Sequence, residues 1–402
     1  MTRRLAVRRA IPFAVVVTAA CGAGDAGVSA HDPATLSSTN TCDVREDGSR
    51  WAPPGGRYAA VAGAEYGRRE GEELADVWGL AATPDGSVFI LDGGNAQVVK
   101  LDAGLRLVRT FGREGQGPGE FRYQRVSGAE ATWIAADDSS LYIMDTRGVS
   151  EFDPSGEFRR YVGRGVPLPD PPRSIAARYG RIVYSIDHID RAEGTRVLET
   201  WQSESTMPHT LLRADAMPPL PKVRGHPILG GFNDQARPLW AVHRRCAFIS
   251  DGAGDWILRV DLTENRADTL PLPPRRIPAR TAEDEARLER EREMIAGLMA
   301  RVGTSTDELR RVRPTARLKW SGMAVDPDGF VWLGPWRPYS MQHDPQTVWV
   351  VHPATGAVDS VMIEDGAFPD VFLPDGRFVT LTRDTATHVR FVRLYALQDA
   401  ME

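Results

Sequence analysis

One pattern recurs six times along this chain and constrains its fold more than any other feature. Each copy consists of an apolar run, a tight turn and a second apolar run. The copies are VWGLAATPDGSVFILD (77–92), EATWIAADDSSLYIMD (130–145), PRSIAARYGRIVYSID (172–187), ARPLWAVHRRCAFISD (236–251), WSGMAVDPDGFVWLGP (320–335) and AFPDVFLPDGRFVTLT (367–382). Three turns contain Asp-Gly, at Asp85, Asp328 and Asp375, which is a strong signal for a β-hairpin. The pattern therefore predicts a series of antiparallel hairpins.

A second hairpin follows most copies, so that each unit holds four short strands. The clearest second hairpins are VVKLDAGLRLVRTFG (98–112) and VSEFDPSGEFRRYVG (149–163). When an N-terminal tether and one insertion are set aside, each unit is about 50 residues long. Four-stranded units at this spacing predict an all-β fold, a six-bladed β-propeller over residues 57–398.

The sixth unit has only three strands of its own before the sequence ends. We expect the strand from Tyr58 to Tyr66 to complete this last blade. The residues at its end, YGRREGEEL (66–74), are similar to FGREGQGPGEF (111–121), which ends the first unit. Pairing the two ends of the chain in this way removes open sheet edges, which promote aggregation.

The first unit carries the succession PDG, VFILD, VVKLD and TFGREGQGPGEF, which resembles NHL-type repeats. The chain as a whole is similar to the six-bladed propeller lipoproteins of Gram-negative bacteria. The resemblance is specific in the first two units and loose in units three to five, and it covers about residues 56–398. It implies a fold and export, but little about activity, because propellers carry many functions.

The N-terminus has the features of an export signal. Arginines at positions 3, 4, 8 and 9 precede an apolar stretch from Ala10 to Ala20. This stretch is shorter than the roughly 20 residues that span a bilayer, but it suits a signal peptide over residues 1–20. The segment ending at Cys21 resembles a bacterial lipobox, although Thr18 stands where that family usually has Leu. Cleavage after Ala30, which would give a soluble secreted protein, is the alternative.

We therefore expect acylation of Cys21, a flexible tether over residues 21–56, and anchoring at the periplasmic or outer membrane. The tether is rich in Gly, Ala, Ser, Thr and Pro. Cys42 and Cys246 then remain, and an oxidising compartment allows them to form a disulfide. The alternative is a free Cys42 together with a buried and inert Cys246.

Residues 281–313 interrupt the repeats between the fourth and fifth units. Thr281 is suited to cap the start of a helix, and Gly303 to end it. Ser305 and Glu308 make a capping box for a second short helix, which Pro314 would stop. We expect an inserted helical hairpin, which is either a decoration of the propeller or a lid or docking arm.

Ligands are expected at the face where the inner strands begin. When the copies are aligned on their turns, Trp78, Arg173 and Arg237 occupy one inner-strand position. Two arginines on adjacent blades would clamp a carboxylate or phosphate through paired hydrogen bonds. The alternative is that each arginine pairs with a nearby acid, such as Asp170 or Asp234.

Two loops on the same face are rich in aromatic and basic residues. The candidate ligand-binding residues there are His188, Trp336, Arg337, Tyr339 and His343. Trp, Tyr and Arg dominate binding hot spots, but a loop folded on its own aromatics is the alternative. Four copies end in an acid, and this recurrence predicts bonds to local backbone rather than catalysis for Asp92, Asp145, Asp187 and Asp251.

The formal charge of −5 argues against a nucleic-acid partner, and no nucleophile elbow, P-loop, dinucleotide fingerprint or HExxH motif is present. We expect a monomeric, non-enzymatic binding or scaffold module that holds a protein or small anionic ligand and needs no cofactor. The alternative is a lactonase-like or NHL-lyase-like hydrolase or lyase with calcium or zinc in the central channel. The inner-strand starts offer one clear carboxylate, Asp76, opposed by Lys319 and two arginines, and this counts against such a metal.

Overall fold

The computed structural model describes residues 57–121, 125–126, 129–130, 132–145, 148–162, 172–178, 181–187, 196–202, 209–214, 222–223, 226–227, 239–250, 252–262, 266–276, 279, 281–301, 318–337, 344–384 and 386–399. These residues are nearly all in β-strands and turns, with one helix. The strands of the first half are β1 (Arg57–Tyr66), β2 (Val77–Ala82), β3 (Val88–Asp92), β4 (Gln97–Leu101), β5 (Leu107–Phe111), β6 (Arg125–Val126), β7 (Ala129–Glu130), β8 (Trp133–Ala136), β9 (Leu141–Asp145), β10 (Gly148–Phe152), β11 (Phe158–Val162), β12 (Pro172–Arg178), β13 (Arg181–Asp187), β14 (Arg196–Gln202) and β15 (His209–Ala214). The remaining elements are β16 (Lys222–Val223), β17 (His226–Pro227), β18 (Leu239–His243), β19 (Cys246–Ser250), β20 (Trp256–Asp261), β21 (Arg266–Pro271), α1 (Ala282–Arg301), β22 (Trp320–Val325), β23 (Val331–Pro335), β24 (Gln346–Val351), β25 (Val358–Ile363), β26 (Val371–Phe372), β27 (Phe378–Arg383) and β28 (Arg390–Asp399).

The strands form a series of four-stranded antiparallel sheets that follow the repeats. The first sheet is β2–β5, the second β8–β11, the third β12–β15 and the fourth β18–β21. The remaining strands form an eight-stranded sheet in the order β22-β23-β24-β25-β1-β28-β27-β26. We call β22–β25 the fifth sheet, and β26–β28 together with β1 the sixth sheet. The pairs β6–β7 and β16–β17 stand apart.

The first and last strands of the described residues meet in the sixth sheet. β1 runs antiparallel to β28, from the pair Tyr58↔Asp399 to the pair Tyr66↔Val392. The first residues of β1 also run parallel to β25, over Arg57–Ala60. The predicted pairing of the N-terminal strand with the C-terminal strands is therefore present, and the same strand joins the fifth sheet to the sixth.

The first strands of the sheets lie next to one another in chain order. β2 contacts β8, β8 contacts β12, β12 contacts β18, and β18 contacts β22, while β2 also contacts β26. The apolar cores lie between neighbouring sheets. Phe89 of the first sheet, for example, shares a buried cluster with Phe152 of the second, and Val88 shares another with Val392 of the sixth. This arrangement is consistent with a β-propeller.

The connection between the first and second sheets folds around its own glutamate. The N–H groups of Gln116 and Gly117 donate to Oε2 of Glu120 at 2.8 and 2.7 Å, and Nε of Arg113 donates to its Oε1 at 2.7 Å. The hydroxyl of Tyr161 in the second sheet donates to the carbonyl of Gly117 at 2.7 Å. The GREGQGPGE motif thus fixes one sheet to the next through side-chain hydrogen bonds to the loop backbone.

Helix α1 lies between β21 and β22, and its predicted N-cap is confirmed. The N–H of Asp284 donates to Oγ1 of Thr281 at 3.2 Å, and the N–H of Thr281 donates to Oδ2 of Asp284 at 2.8 Å. This reciprocal pair satisfies backbone donors that a helix start leaves unpaired. The second helix predicted before Pro314 lies outside the described residues. In the described part of the chain, no helix combines the length and hydropathy of a membrane span.

Candidate functional site

The strand registers define equivalent positions in the first strands. One such position faces the preceding sheet and forms the pairs Leu80↔Ile90, Ile134↔Ile143, Ile175↔Tyr184, Trp240↔Ile249 and Met323↔Leu333. In the sixth sheet, the last pair before the hairpin turn is Phe372↔Phe378. It is equivalent to the pair Ala82↔Val88 in the first sheet. The row contains five apolar residues in the first five sheets. Asp370 comes directly before β26, and its N–H donates to the carbonyl of Val379, which is the partner of Val371. The chain is therefore irregular at Asp370, and the registers give the sixth sheet no member of this row.

These registers correct the sequence alignment of the second and fourth sheets. The turn-based alignment placed Trp133 and Leu239 opposite Leu80, whereas the pairing places Ile134 and Trp240 there. The reason is that both hairpin turns are one residue shorter than that of the first sheet, so an alignment fixed on the second strand shifts the first by one. The predicted clamp for a carboxylate or phosphate depended on that alignment, because it placed Arg173 and Arg237 at equivalent positions of adjacent sheets.

The Asp370 carboxylate has an unusual environment. The N–H of Leu381 donates to its Oδ2 at 2.6 Å, and the backbone N–H of Asp370 itself donates to the carbonyl of Val379 at 3.1 Å. The side chain is exposed at the surface, and the protein atoms that crowd around its carboxyl group displace part of its water and raise its pKa to about 6. The hydrogen bond from Leu381 lowers the pKa but does not offset the burial. Sequence reasoning missed this residue, although extending the aligned rows by two positions would have found it.

The ring of Phe368, two residues before Asp370, packs on a pair of glycines. Gly322 and Gly334 are partners across β22 and β23. A Cβ on Gly322 would stand 2.8 Å from the Phe368 ring, and one on Gly334 would stand 2.6 Å from it. The absence of side chains on the fifth sheet thus lets Phe368 of the sixth sheet lie flat against it. Ser321, beside these glycines, is exposed and donates to the carbonyl of Pro335 at 3.0 Å.

Trp78, a predicted ligand residue, is 9% exposed and belongs to the core between the first and second sheets. A Cβ on Gly93 would come within 2.3 Å of its ring. Its indole N–H donates to Oδ2 of Asp76 at 3.0 Å, and Arg390 binds Oδ1 of the same carboxylate at 2.6 Å. Asp76 thus links the first sheet to the sixth, and the indole is held in place by packing and a hydrogen bond.

Lys319, at the start of the fifth sheet, forms a 2.5 Å ion pair with Oδ2 of Asp255 in the fourth. Arg337, another predicted ligand residue, donates to the carbonyl of Asp344 at 2.5 Å and to that of Gly366 at 2.8 Å. Burial lowers the pKa of the Arg337 guanidinium, and Asp344 partly offsets this. Trp336 is half-buried, and its backbone N–H donates to the carbonyl of Lys319 at 2.9 Å. Trp336 and Arg337 therefore both make contacts with the protein itself.

Most of the other predicted site residues fall in parts of the chain that the structure does not describe. Arg173 lies in β12, and only its backbone is described. Arg237, His188, Tyr339, His343, Cys21 and Cys42 lie outside the described residues. Cys246 is buried and disulfide-bonded. A free buried thiol is therefore ruled out at Cys246, while its pairing with Cys42 stays a prediction.

The opposite ends of the sheets are built from repeated turns whose acids bond to backbone. Asp85 accepts hydrogen bonds from Oγ1 of Thr83 at 2.6 Å and from the N–H of Ser87 at 3.0 Å. Burial raises the pKa of Asp85, but these hydrogen bonds outweigh it and bring the pKa below its ordinary value. At the other end of the first sheet, Asp92 is level with Val77. Its predicted role is confirmed, since its carboxylate accepts from the N–H of Asp76 at 3.0 Å.

No group of three or more His, Cys, Asp or Glu side chains that could hold a metal ion occurs within the described ranges.

Comparisons with known proteins show a fold but no family. No known protein family matches the sequence, and no curated protein does. Among solved structures, a member of the DUF4221 family from Bacteroides vulgatus is 9% identical with a TM-score of 0.51, covering 85% of this chain and 99% of that one. A gluconolactonase from Xanthomonas campestris is 11% identical with a TM-score of 0.43, covering 86% and 99%. Regucalcin, a calcium-binding protein from Agrobacterium tumefaciens, is 13% identical with a TM-score of 0.41, covering 85% and 95%. These neighbours are propeller-type proteins, and at such identities the likeness concerns the fold alone.

Proposed function

We propose that this chain is an exported, lipid-anchored, six-bladed β-propeller that binds a small ligand or a protein partner at the face where its first strands begin. In this proposal the six sheets described above are the six blades, and α1 belongs to an insertion between the fourth and fifth. The NHL-like repeats and the lipobox-like segment at Cys21 support the export and anchoring parts.

The observation that carries the binding proposal is the difference between the two ends of the sheets. At the turn end, acids such as Asp85 recur and are used in local hydrogen bonds. A residue that recurs in every unit stabilises the local structure of that unit. A specific binding site is therefore expected where the residues differ between units. At the other end the second strands also close on recurring acids such as Asp92. The side chains beside the starts of the first strands differ from sheet to sheet, with Ser321 exposed and Phe368 and Trp336 half-buried.

A hydrolase or lyase is the second candidate, and Asp370 is the observation that favours it. A carboxyl group with a pKa of about 6 can take up or release a proton near neutral pH, as a general acid or base must. The lactonase-like version also requires calcium or zinc. Metal analysis of the purified protein distinguishes the two candidates, because the metal-dependent enzyme needs about one ion per chain and the binding module needs none.

Site-specific crosslinking tests the binding face. A photo-crosslinking residue at Ser321 should give discrete adducts in cells that produce the protein, whereas the same residue at Arg377, in a turn at the opposite end, should not. Equal labelling from both positions, or from neither, would contradict the proposal. Anchoring is tested separately, because Cys21→Ser should abolish labelling by a radioactive fatty acid and leave unprocessed precursor.

A further inference from the structure

Arg275 follows the fourth sheet and lies against two tryptophans of the fifth. Its guanidinium carbon stands 5.0 Å from the ring centroid of Trp320 and 5.4 Å from that of Trp349. The two rings are 4.8 Å apart and tilted by 59°. Trp320 opens β22, next to Lys319, so this cluster lies at the same end of the sheets as the proposed binding face. We call Arg275, Trp320 and Trp349 the arginine–tryptophan cluster.

Arg275 differs from the other stacked cations of the described residues in having no polar partner. Arg68 over Phe391 is paired with Asp384, and Arg393 over the same ring is paired with Glu65. Arg109 over Phe111 meets Glu157, and Lys100 over Phe89 donates to the carbonyl of Pro154. Within the described part of the chain, Arg275 lies against two adjacent rings but has neither a carboxylate nor a carbonyl in hydrogen-bonding range.

Two further features of the cluster indicate an unfilled polar requirement. Burial lowers the pKa of the Arg275 guanidinium, and no acid raises it again. The indole N–H of Trp320, a residue with 0% exposure, has no acceptor among the described residues. The rings attract a stacked guanidinium, but its five N–H donors still need acceptors once water is partly removed.

We propose that the arginine–tryptophan cluster is a recognition site for an organic carboxylate with an apolar or aromatic body. A guanidinium binds a carboxylate through two parallel hydrogen bonds. The half-buried ring of Trp349 offers apolar surface to the rest of such a ligand, while the fully buried Trp320 only positions the guanidinium. A monoanion fits better than a phosphate dianion, because Arg275 supplies one unpaired charge and the adjacent Lys319 is already paired with Asp255. This inference names a ligand class for the proposed binding face and in that sense rests on the proposed function.

Titration with benzoate, followed by tryptophan fluorescence and calorimetry, tests the site. We expect saturable binding of benzoate to the full-length protein at about 1 mM, and weaker binding of inorganic phosphate. Arg275→Gln should weaken benzoate binding by about tenfold or more, equivalent to ~1.4 kcal/mol. Arg275→Lys should weaken it by less, since the charge remains but the planar fork is lost.

Arg276→Gln is the matched control, because Arg276 is the exposed neighbour of Arg275 and its replacement should leave benzoate binding as in the wild type. Unfolding midpoints of all variants confirm that they are folded. Absence of saturable benzoate binding to the wild type, or equal binding by Arg275→Gln, would overturn the site. Tighter binding of phosphate than of benzoate would overturn the carboxylate assignment. The crosslinking at Ser321 is a separate readout, so a failure of the carboxylate site is distinguishable from a failure of the proposed function.

Discussion

The backbone N–H of Leu381 donates a 2.6 Å hydrogen bond to Oδ2 of Asp370, the acid that comes directly before β26. The first-strand residues Leu80, Ile134 and Met323 of other sheets pack their side chains in apolar clusters. Asp370 instead bonds to the strand beside it while solvent reaches its carboxylate. The contact explains how a carboxyl group is tolerated there, and it also makes the fold sensitive to pH.

The Asp370→Asn variant should become more stable than the wild type as the pH rises. The pKa of Asp370 is about 6 in the folded state and about 3.9 in an unfolded chain. The folded protein therefore holds the extra proton between these values, and the contribution to stability present at low pH is lost as the pH rises through about 6. Asn can still accept the bond from Leu381 but cannot ionise.

We expect the variant to gain on the order of 1 kcal/mol over the wild type between pH 5 and pH 8, because solvent screens part of the cost of the charge. Urea unfolding at several pH values measures this difference. Asp375→Asn, in the exposed turn of the same hairpin, is the control. A pH-independent difference between Asp370→Asn and wild type would contradict the raised pKa.

Removing β1 should prevent stable folding. β1 pairs with β28 on one side and with β25 on the other. A chain that begins at Gly67 would leave both strands with unpaired backbone groups, at about 1–3 kcal/mol for each buried group, against a total stability of about 5–15 kcal/mol. Size-exclusion chromatography and circular dichroism should show aggregation or loss of structure.

The matched control for this truncation is a chain that begins at Ala52 and keeps β1. Both variants carry Cys246→Ser, so that the loss of a disulfide affects them equally. The chain beginning at Ala52 should remain soluble and folded. A soluble, cooperative unfolding transition in the chain beginning at Gly67 would mean that β1 is not needed to close the structure.

Gly334→Ala should destabilise the contact between the fifth and sixth sheets. The new Cβ would stand 2.6 Å from the Phe368 ring, and overpacking of this kind costs about 1–3 kcal/mol. Combining it with Phe368→Ala should give a double-mutant coupling energy, because the clash disappears with the ring. Gly297→Ala in α1 is the control, since nothing lies within 4 Å of its Cβ; it should stabilise by roughly 0.5–1 kcal/mol.

Arg390→Met should weaken the junction between the sixth and first sheets. Arg390 donates to Oδ1 of Asp76 at 2.6 Å and to the carbonyl of Val77 at 3.0 Å. We expect a loss of about 1–3 kcal/mol, because the partly buried acceptors lose a charged donor. Arg377→Met, at an exposed turn, should stay within about 0.5 kcal/mol of wild type. Thermal unfolding that is equal for the two variants would show that the Asp76 contact is not structural.

The sequence by itself determined the local architecture of this protein. Asp-Gly turns between apolar runs specify hairpins, because the turn geometry and the alternation of side chains are encoded within each segment. The same local logic identified the strand from Tyr58 to Tyr66, the cap at Thr281 and the backbone role of Asp92. Each of these depends on interactions that span few residues or on a pattern that repeats.

Only the tertiary structure decided which side chains meet. A hairpin turn shorter by one residue moves the partner strand by one, and because side chains alternate with a period of two, that shift exchanges the two faces of the strand. This is why Ile134 and Trp240, rather than Trp133 and Leu239, stand level with Leu80. Phe368 on Gly322 and Gly334, and Arg275 on Trp320 and Trp349, are contacts between different sheets. No local pattern encodes them, because they arise only when neighbouring sheets pack face to face.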